Sequence, residues 1–166
     1  FLDLIASEVQ SVVLNGVQLD PSSAYVNNRI ELTNLHEHNT VVVHALCQYS
    51  NTGEGLHRSV DPTDGNVYLY TQFEVPDARR VYAVFDQPDI KAVFDFDVLA
   101  PQSWIVISNM PVKHVEQVSG LTQNGTLADK PNEGVQRWLF EPTVTMSSYL
   151  TAICAGPYAQ WHSEYL

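Results

Sequence analysis

The chain has 166 residues, which suits one ordinary domain, and its 45% hydrophobic and 16% charged residues exclude disorder throughout. Eight Lys and Arg against 19 Asp and Glu give a formal net charge of −11, which would repel a phosphate backbone and excludes nucleic acid as a partner. No run approaches the roughly 18 consecutive apolar residues of a spanning helix, so we expect no membrane partner.

The chain begins in what looks like the middle of a strand. Residues Phe1–Ala6 have no basic lead and therefore do not resemble a secretory signal. We therefore expect that the natural chain continues upstream of Phe1.

Short runs rich in Val, Ile, Tyr, Phe and Thr recur between turn residues, which predicts an all-β fold, a sandwich or an open multi-sheet domain. Asn15-Gly16 is typical of a hairpin turn, and Pro76–Arg80 is the one helix-like piece. We find no linker or repeat and predict a single β domain over residues 1–166. The predicted strands are Phe1–Val9, Val12–Leu14, Val17–Leu19, Arg29–Leu32, Thr40–Tyr49, Val67–Phe73, Ala92–Leu99, Trp104–Ser108, Val112–Val118, Val135–Phe140 and Met146–Cys154.

The two cysteines, Cys47 and Cys154, both lie in apolar strand-like runs. This placement favours free, buried thiols, although a single long-range disulfide stays open as an alternative. Free thiols indicate a reducing compartment, and we expect a cytoplasmic protein.

No catalytic or metal-binding motif is complete in this sequence. The segment His36–Thr40 begins like the zinc-protease H-E-x-x-H motif, but threonine stands where the second histidine is needed and the segment is predicted as a loop. We therefore expect exposed loop histidines and no metal site. Asn124–Thr126 matches a glycosylation sequon, which we attribute to chance.

The densest chemistry lies in the stretch Tyr70–Ala92. Because side chains alternate faces along a strand, Gln72 and Glu74 should point one way and Phe73 the other. A carboxylate and an amide at a strand end could form a pocket wall that receives an ammonium group. The alternative is that Glu74 only pairs with Arg79 or Arg80.

Several motifs of the chain, in the same order, resemble the N-terminal domain of the aminopeptidase N family of zinc metallopeptidases, most of all its actinobacterial type. The resemblance covers nearly the whole sequence. The pieces that carry it are Gly55–Arg58, Asp64–Glu74, Asp77–Arg80, Phe85–Phe94, Trp104–Pro111 and Tyr149–Tyr158.

The resemblance implies a saddle-like, multi-sheet β-sandwich domain that anchors substrate in an enzyme removing N-terminal residues from peptides. In the family's T-Q-x-E motif the glutamate binds the substrate's α-ammonium group and the glutamine lines the pocket for its first side chain, which implies Glu74 and Gln72 here. We interpret Asp77, Arg79, Arg80 and Asp86 as structural ion pairs that support the motif, and we expect Tyr70 and Phe73 in the core and not in contact with substrate.

The family's catalytic domain follows this one and holds Zn²⁺ through H-E-x-x-H and a downstream glutamate, none of which occurs here. The resemblance therefore implies no catalytic residue, no bound zinc and no activity for this chain alone. Its implied partners are the peptide N-terminus and the missing catalytic domain. The alternatives are a stand-alone β-sandwich interaction or ligand-binding module, and a parent protein whose catalytic domain has lost its zinc ligands.

Overall fold

A computed structural model describes residues 1–118 and 134–165, and within them the chain is nearly all β. Helical structure there is limited to the single turn α1 (Pro21–Ala24) and the 3-10 helices Ala78–Arg80 and Ser148–Leu150. The prediction of an all-β, multi-sheet fold is confirmed. The strands are β1 Leu2–Asp3, β2 Glu8–Leu14, β3 Val17–Leu19, β4 Tyr25–Val26, β5 Arg29–Ile30, β6 Val41–Leu46, β7 Gly55–Val60, β8 Val67–Gln72, β9 Lys91–Ala92, β10 Asp97–Pro101, β11 Ile105–Ser108, β12 Val112–Val118, β13 Val135–Phe140, β14 Met146–Ser147 and β15 Ile153–Gly156.

The chain divides into two compact units. The first unit carries the sheets β1-β5-β4, β3-β2-β6 and β14-β9, and the second carries β10-β13-β12 and β11-β15-β8-β7, although β7 and β8 also have residues in the first. The prediction of a single domain over residues 1–166 stays a prediction. The first unit comprises Phe1–His57, Thr71–Ala92 and Thr145–Thr151, and the second Arg58–Tyr70, Val93–Val144 and Ala152–Leu166.

The β2–β3 hairpin is confirmed, with Asn15 and Gly16 at positive φ in the turn. Val12 on β2 is fully buried and lies opposite Val43 on β6 and Leu19 on β3, so the sheet turns this face inward. A core cluster of Leu2, Leu4, Val12 and Ile30 joins this sheet to β1 and β5 within the first unit. Burial of these aliphatic side chains stabilises that unit.

The prediction of one strand over Phe1–Val9 is wrong. β1 pairs with β5 and β2 pairs with β6, and between them the backbone changes partner at nearly every residue. The N–H groups of Leu4, Ile5 and Ser7 donate to three different segments, at the carbonyls of Asn28, Arg79 and Leu46. A continuous ladder therefore cannot form through this stretch.

The predicted strands Ala92–Leu99 and Met146–Cys154 are also broken. β9 pairs with β14 in the first unit, whereas β10 pairs with β13 in the second. Each predicted run begins in the first unit and ends in the second. The strand within each part of the run pairs with a strand of its own unit. A 3-10 helix, Ser148–Leu150, fills the second break.

Two further local predictions need correction. The predicted strands do not include Gly55–Val60, which forms β7. The helical turn predicted from Pro76 starts later, as the 3-10 helix Ala78–Arg80, and the Val75–Pro76 peptide before it is cis. None of the helices in the described ranges has the length and apolar character that a bilayer crossing requires.

Replacing Gly55 by alanine is expected to destabilise the chain by about 1–3 kcal/mol, since its φ of +62° disfavours a side chain. An added Cβ would also lie 2.9 Å from the Cβ of Arg80, which cannot rotate away. Gly65→Ala is the matched control, because Gly65 has a φ of +71° and open space around it. Equal urea midpoints for the two variants would show that the contact with Arg80 contributes nothing.

Candidate functional site

Strand β8 ends at Gln72 and delivers three consecutive side chains to the candidate site. Phe73 is 2% exposed and packs with Ala78 and Val84, while Gln72 and Glu74 on either side are exposed. The predicted alternation therefore holds past the end of the strand, although Glu74 itself lies in a turn. The buried ring fixes the backbone, so both polar side chains are directed away from the core.

Gln72 holds the start of this turn. Its Oε1 accepts a hydrogen bond from the backbone N–H of Glu74 at 2.9 Å. Among the described residues the Gln72 NH₂ group and the Glu74 carboxylate have no hydrogen-bond or ion-pair partner. The site thus presents two donor hydrogens and a carboxylate to solvent.

The arginines that follow are engaged by other acids. Arg80 pairs with Asp77 at 2.5 Å and with Glu54 at 3.1 Å, and the hydrogen bond with Asp77 is the main cause of the raised pKa of Arg80. Arg79 lies 3.9 Å from the carboxylate of Asp3. The alternative predicted for Glu74, an ion pair with Arg79 or Arg80, is therefore not formed.

Asp86 departs from its expected role as a member of an ion pair. Its buried carboxylate accepts hydrogen bonds from the backbone N–H of Arg79 at 3.1 Å and from Ser148 Oγ at 2.9 Å. Neutral donors therefore satisfy both oxygens, which avoids the cost of a buried, unpartnered charge.

Tyr70 was expected in the core, and this is wrong. Tyr70 is 40% exposed, whereas Leu69, its neighbour on β8, is 5% exposed. Side chains alternate between the two faces of β8, so Val67 and Leu69 lie on the buried face and Tyr70 lies on the exposed face.

A separate pocket of about 210 Å³ lies in the first unit. The Glu54–Arg80 ion pair is part of its wall, but neither Gln72 nor Glu74 lines it. Its remaining lining residues are Ile5, Ala6, Ser7, Gln48, Tyr49 and Ser50.

No group of three His, Cys, Asp or Glu side chains that could hold a metal ion occurs in residues 1–118 and 134–165. The described residues therefore do not fit the zinc that the resemblance implies for the full-length enzyme. His36–Thr40 is an exposed loop, as predicted. The sequon Asn124–Thr126 lies outside the described residues.

The cysteines carry no sign of activation. Cys47 and Cys154 are free and only partly buried, and burial raises the pKa of both thiols. A raised pKa lowers the thiolate fraction at neutral pH, so neither residue is suited to act as a nucleophile.

Comparison with known proteins assigns the family. The sequence model of the family described as the Peptidase M1 N-terminal domain matches residues 5–150. The chain belongs to this family. The M1 N-terminal domain is 49% identical over 166 residues to Aminopeptidase N of Streptomyces lividans, covering 99% of this chain and 17% of that protein.

Two eukaryotic relatives extend the similarity. Aminopeptidase M1-A of Oryza sativa is 30% identical over 174 residues, with 94% of this chain and 18% of that protein covered. Endoplasmic reticulum aminopeptidase 1 of Homo sapiens is 34% identical over 117 residues, with 68% of this chain and 11% of that protein covered. The M1 N-terminal domain thus spans less than a fifth of these relatives, and the predicted resemblance is confirmed.

Proposed function

We propose that this M1 N-terminal domain anchors the free N-terminus of a peptide in a zinc aminopeptidase. Glu74 binds the substrate α-ammonium group, and Gln72 lines the pocket for the first side chain. The observation that carries the proposal is the exposed carboxylate of Glu74, which has no partner among residues 1–118 and 134–165 and lies beside the buried Phe73.

The electrostatics of the turn support this role. Arg80 is occupied by Asp77 and Glu54, so Glu74 keeps its negative charge available to an incoming cation. A carboxylate and an ammonium group form a charge-assisted hydrogen bond, which is stronger than a neutral one. Binding the ammonium group selects a free N-terminus and sets the distance from that end to the bond that is cleaved.

Gln72 contributes in two ways. The Gln72 side-chain oxygen accepts a hydrogen bond from the Glu74 N–H, so the Gln72 NH₂ group is the part that is directed to the substrate. An amide fixed by one hydrogen bond loses less side-chain entropy when it binds a second partner.

The parent enzyme, its substrates and its partners belong to the same proposal. The relatives are whole aminopeptidases of which this domain spans a small part, which favours an anchoring role over a stand-alone binding module. The peptide N-terminus and a catalytic domain holding Zn²⁺, which supplies Lewis-acid chemistry, are the proposed partners. A cytoplasmic location is supported by the two free cysteines, while the exclusion of nucleic acid and membrane partners stays a prediction.

A pair of matched competitors tests the ammonium site in the full-length enzyme. We expect leucine to inhibit more strongly than 4-methylpentanoate, which has the same carbon skeleton without the amine. Glu74→Ala should raise the inhibition constant of leucine by about tenfold or more, because hydrogen bonds to charged groups contribute about 1.5–3 kcal/mol. The inhibition constant of 4-methylpentanoate should stay unchanged.

Glu37→Ala serves as the control, since Glu37 is an exposed glutamate in the His36–Thr40 loop. This variant should leave both inhibition constants unchanged. If Glu74→Ala weakens inhibition by both competitors equally, or by neither, the carboxylate does not bind the ammonium group and the proposal fails.

A further inference from the structure

A buried polar network lies directly behind the Glu74 turn, within the first unit. At its centre is Asp86, which is 6% exposed and holds the Arg79 N–H and the Ser148 hydroxyl. Ser148 is 1% exposed. A buried carboxylate with both oxygens hydrogen-bonded permits little movement of the backbone it holds.

The network continues through two more hydroxyl groups. Thr151 Oγ1 donates to the carbonyl of Ser148 at 2.7 Å and lies 2.6 Å from the hydroxyl of Tyr82. Because Thr151 has a single hydroxyl proton and gives it to Ser148, Tyr82 is the donor in the second bond. Burial raises the pKa of Tyr82 to about 12, so this donor keeps its proton at neutral pH.

The network contacts the turn on both sides of Glu74. Before the turn, the Tyr82 ring meets the Phe73 ring edge-on at 5.9 Å between centroids. After the turn, Asp86 holds the N–H of Arg79 in the 3-10 helix Ala78–Arg80. The residues between these two fixed points include Glu74.

We propose that Asp86 is a positioning residue, which acts on the substrate ammonium group through Glu74 by fixing the backbone of its turn. This inference rests on the proposed function of Glu74. Asp86 does not touch substrate, and its part is to accept two hydrogen bonds at fixed points.

The chemistry of Asp86 predicts which variants keep the function. Asparagine can accept the Arg79 N–H with its oxygen and donate its NH₂ group to Ser148 Oγ, because a hydroxyl also accepts. Alanine can do neither. Asp86→Asn should therefore rescue most of the loss caused by Asp86→Ala, and Asp89→Ala, at an exposed aspartate of the same segment, is the matched control.

The experiment is a double-mutant cycle in the full-length enzyme, with KM and kcat measured on a peptide that has a free N-terminus. Asp86→Ala should raise KM about tenfold or more and change kcat less, since small displacements of a positioning group are costly. In the Glu74→Ala background, Asp86→Ala should have no further effect, whereas residues that act independently give additive losses.

The outcomes separate the two proposals. An unchanged KM and kcat for Glu74→Ala alone would overturn the proposed function and this inference with it. If Glu74→Ala impairs KM or kcat, but Asp86→Ala either changes neither or adds its full loss in the Glu74→Ala background, only the positioning role is overturned. If Asp86→Ala does not fold, Ser148→Ala, which removes one of the two hydrogen bonds to Asp86, takes its place in the cycle, and the same comparison decides.

Discussion

Replacing Glu74 by alanine in the full-length enzyme is expected to lower kcat/KM for peptides with a free N-terminus by about 10- to 100-fold. Hydrogen bonds to charged groups contribute about 1.5–3 kcal/mol, and each 1.4 kcal/mol corresponds to a factor of ten. Glu74 is exposed and is held in a turn behind Phe73, so the substitution removes a charge without removing a core contact. Steady-state kinetics on a dipeptide amide measures the loss.

Glu74→Gln and a urea titration complete this experiment. Glutamine keeps the shape of the side chain without its charge, so its loss in kcat/KM should approach that of alanine if charge is what binds the ammonium group. The urea midpoint should hardly change in either variant, because the side chain is exposed. If both variants keep the wild-type kcat/KM, Glu74 does not bind the substrate ammonium group.

Replacing Phe73 by alanine is expected to lower the free energy of unfolding by about 3–5 kcal/mol, the cost of truncating a buried aromatic ring. Phe73 is 2% exposed, packs with Ala78 and Val84, and meets the Tyr82 ring edge-on. Such a loss is a large part of the 5–15 kcal/mol that stabilises an ordinary domain. Urea-induced unfolding of the chain, followed by circular dichroism, measures it.

Phe85→Ala is the control for this prediction. Phe85 belongs to the same unit but is 46% exposed, so its truncation removes less buried area and leaves no closed cavity. We expect its unfolding free energy to fall by less than half as much as that of Phe73→Ala. Equal losses would mean that Phe73 does not anchor the turn.

The elements predicted well are those whose signal is local. Asn15-Gly16 marked the β2–β3 hairpin, because few residues adopt positive φ without strain. The runs Val112–Val118 and Val135–Phe140 were predicted with the bounds of β12 and β13, and these two strands pair with each other along their length, with one register shift between Val112 and His114. In contrast, the breaks within Phe1–Val9 and Ala92–Leu99 depend on which distant strand takes each residue, and composition holds no signal for that.

The candidate site shows the same division. The sequence pattern was enough to predict that Phe73 points inward while Gln72 and Glu74 on either side of it are exposed, because alternation is a property of the local backbone. The motif order also carried the resemblance to the aminopeptidase N family, whose membership the comparisons show. The pattern left open whether Glu74 is free or paired.

What the sequence by itself determined is the all-β class, which follows from the recurring short apolar runs, and the resemblance to the family, which the order of the motifs carries. Only the tertiary structure decided that Glu54 is a second partner of Arg80, and that Asp86 accepts hydrogen bonds from a backbone N–H and a hydroxyl instead of pairing with an arginine. The reason is physical: Ser148 stands 62 positions from Asp86, and contacts over such separations form only when the sheets pack.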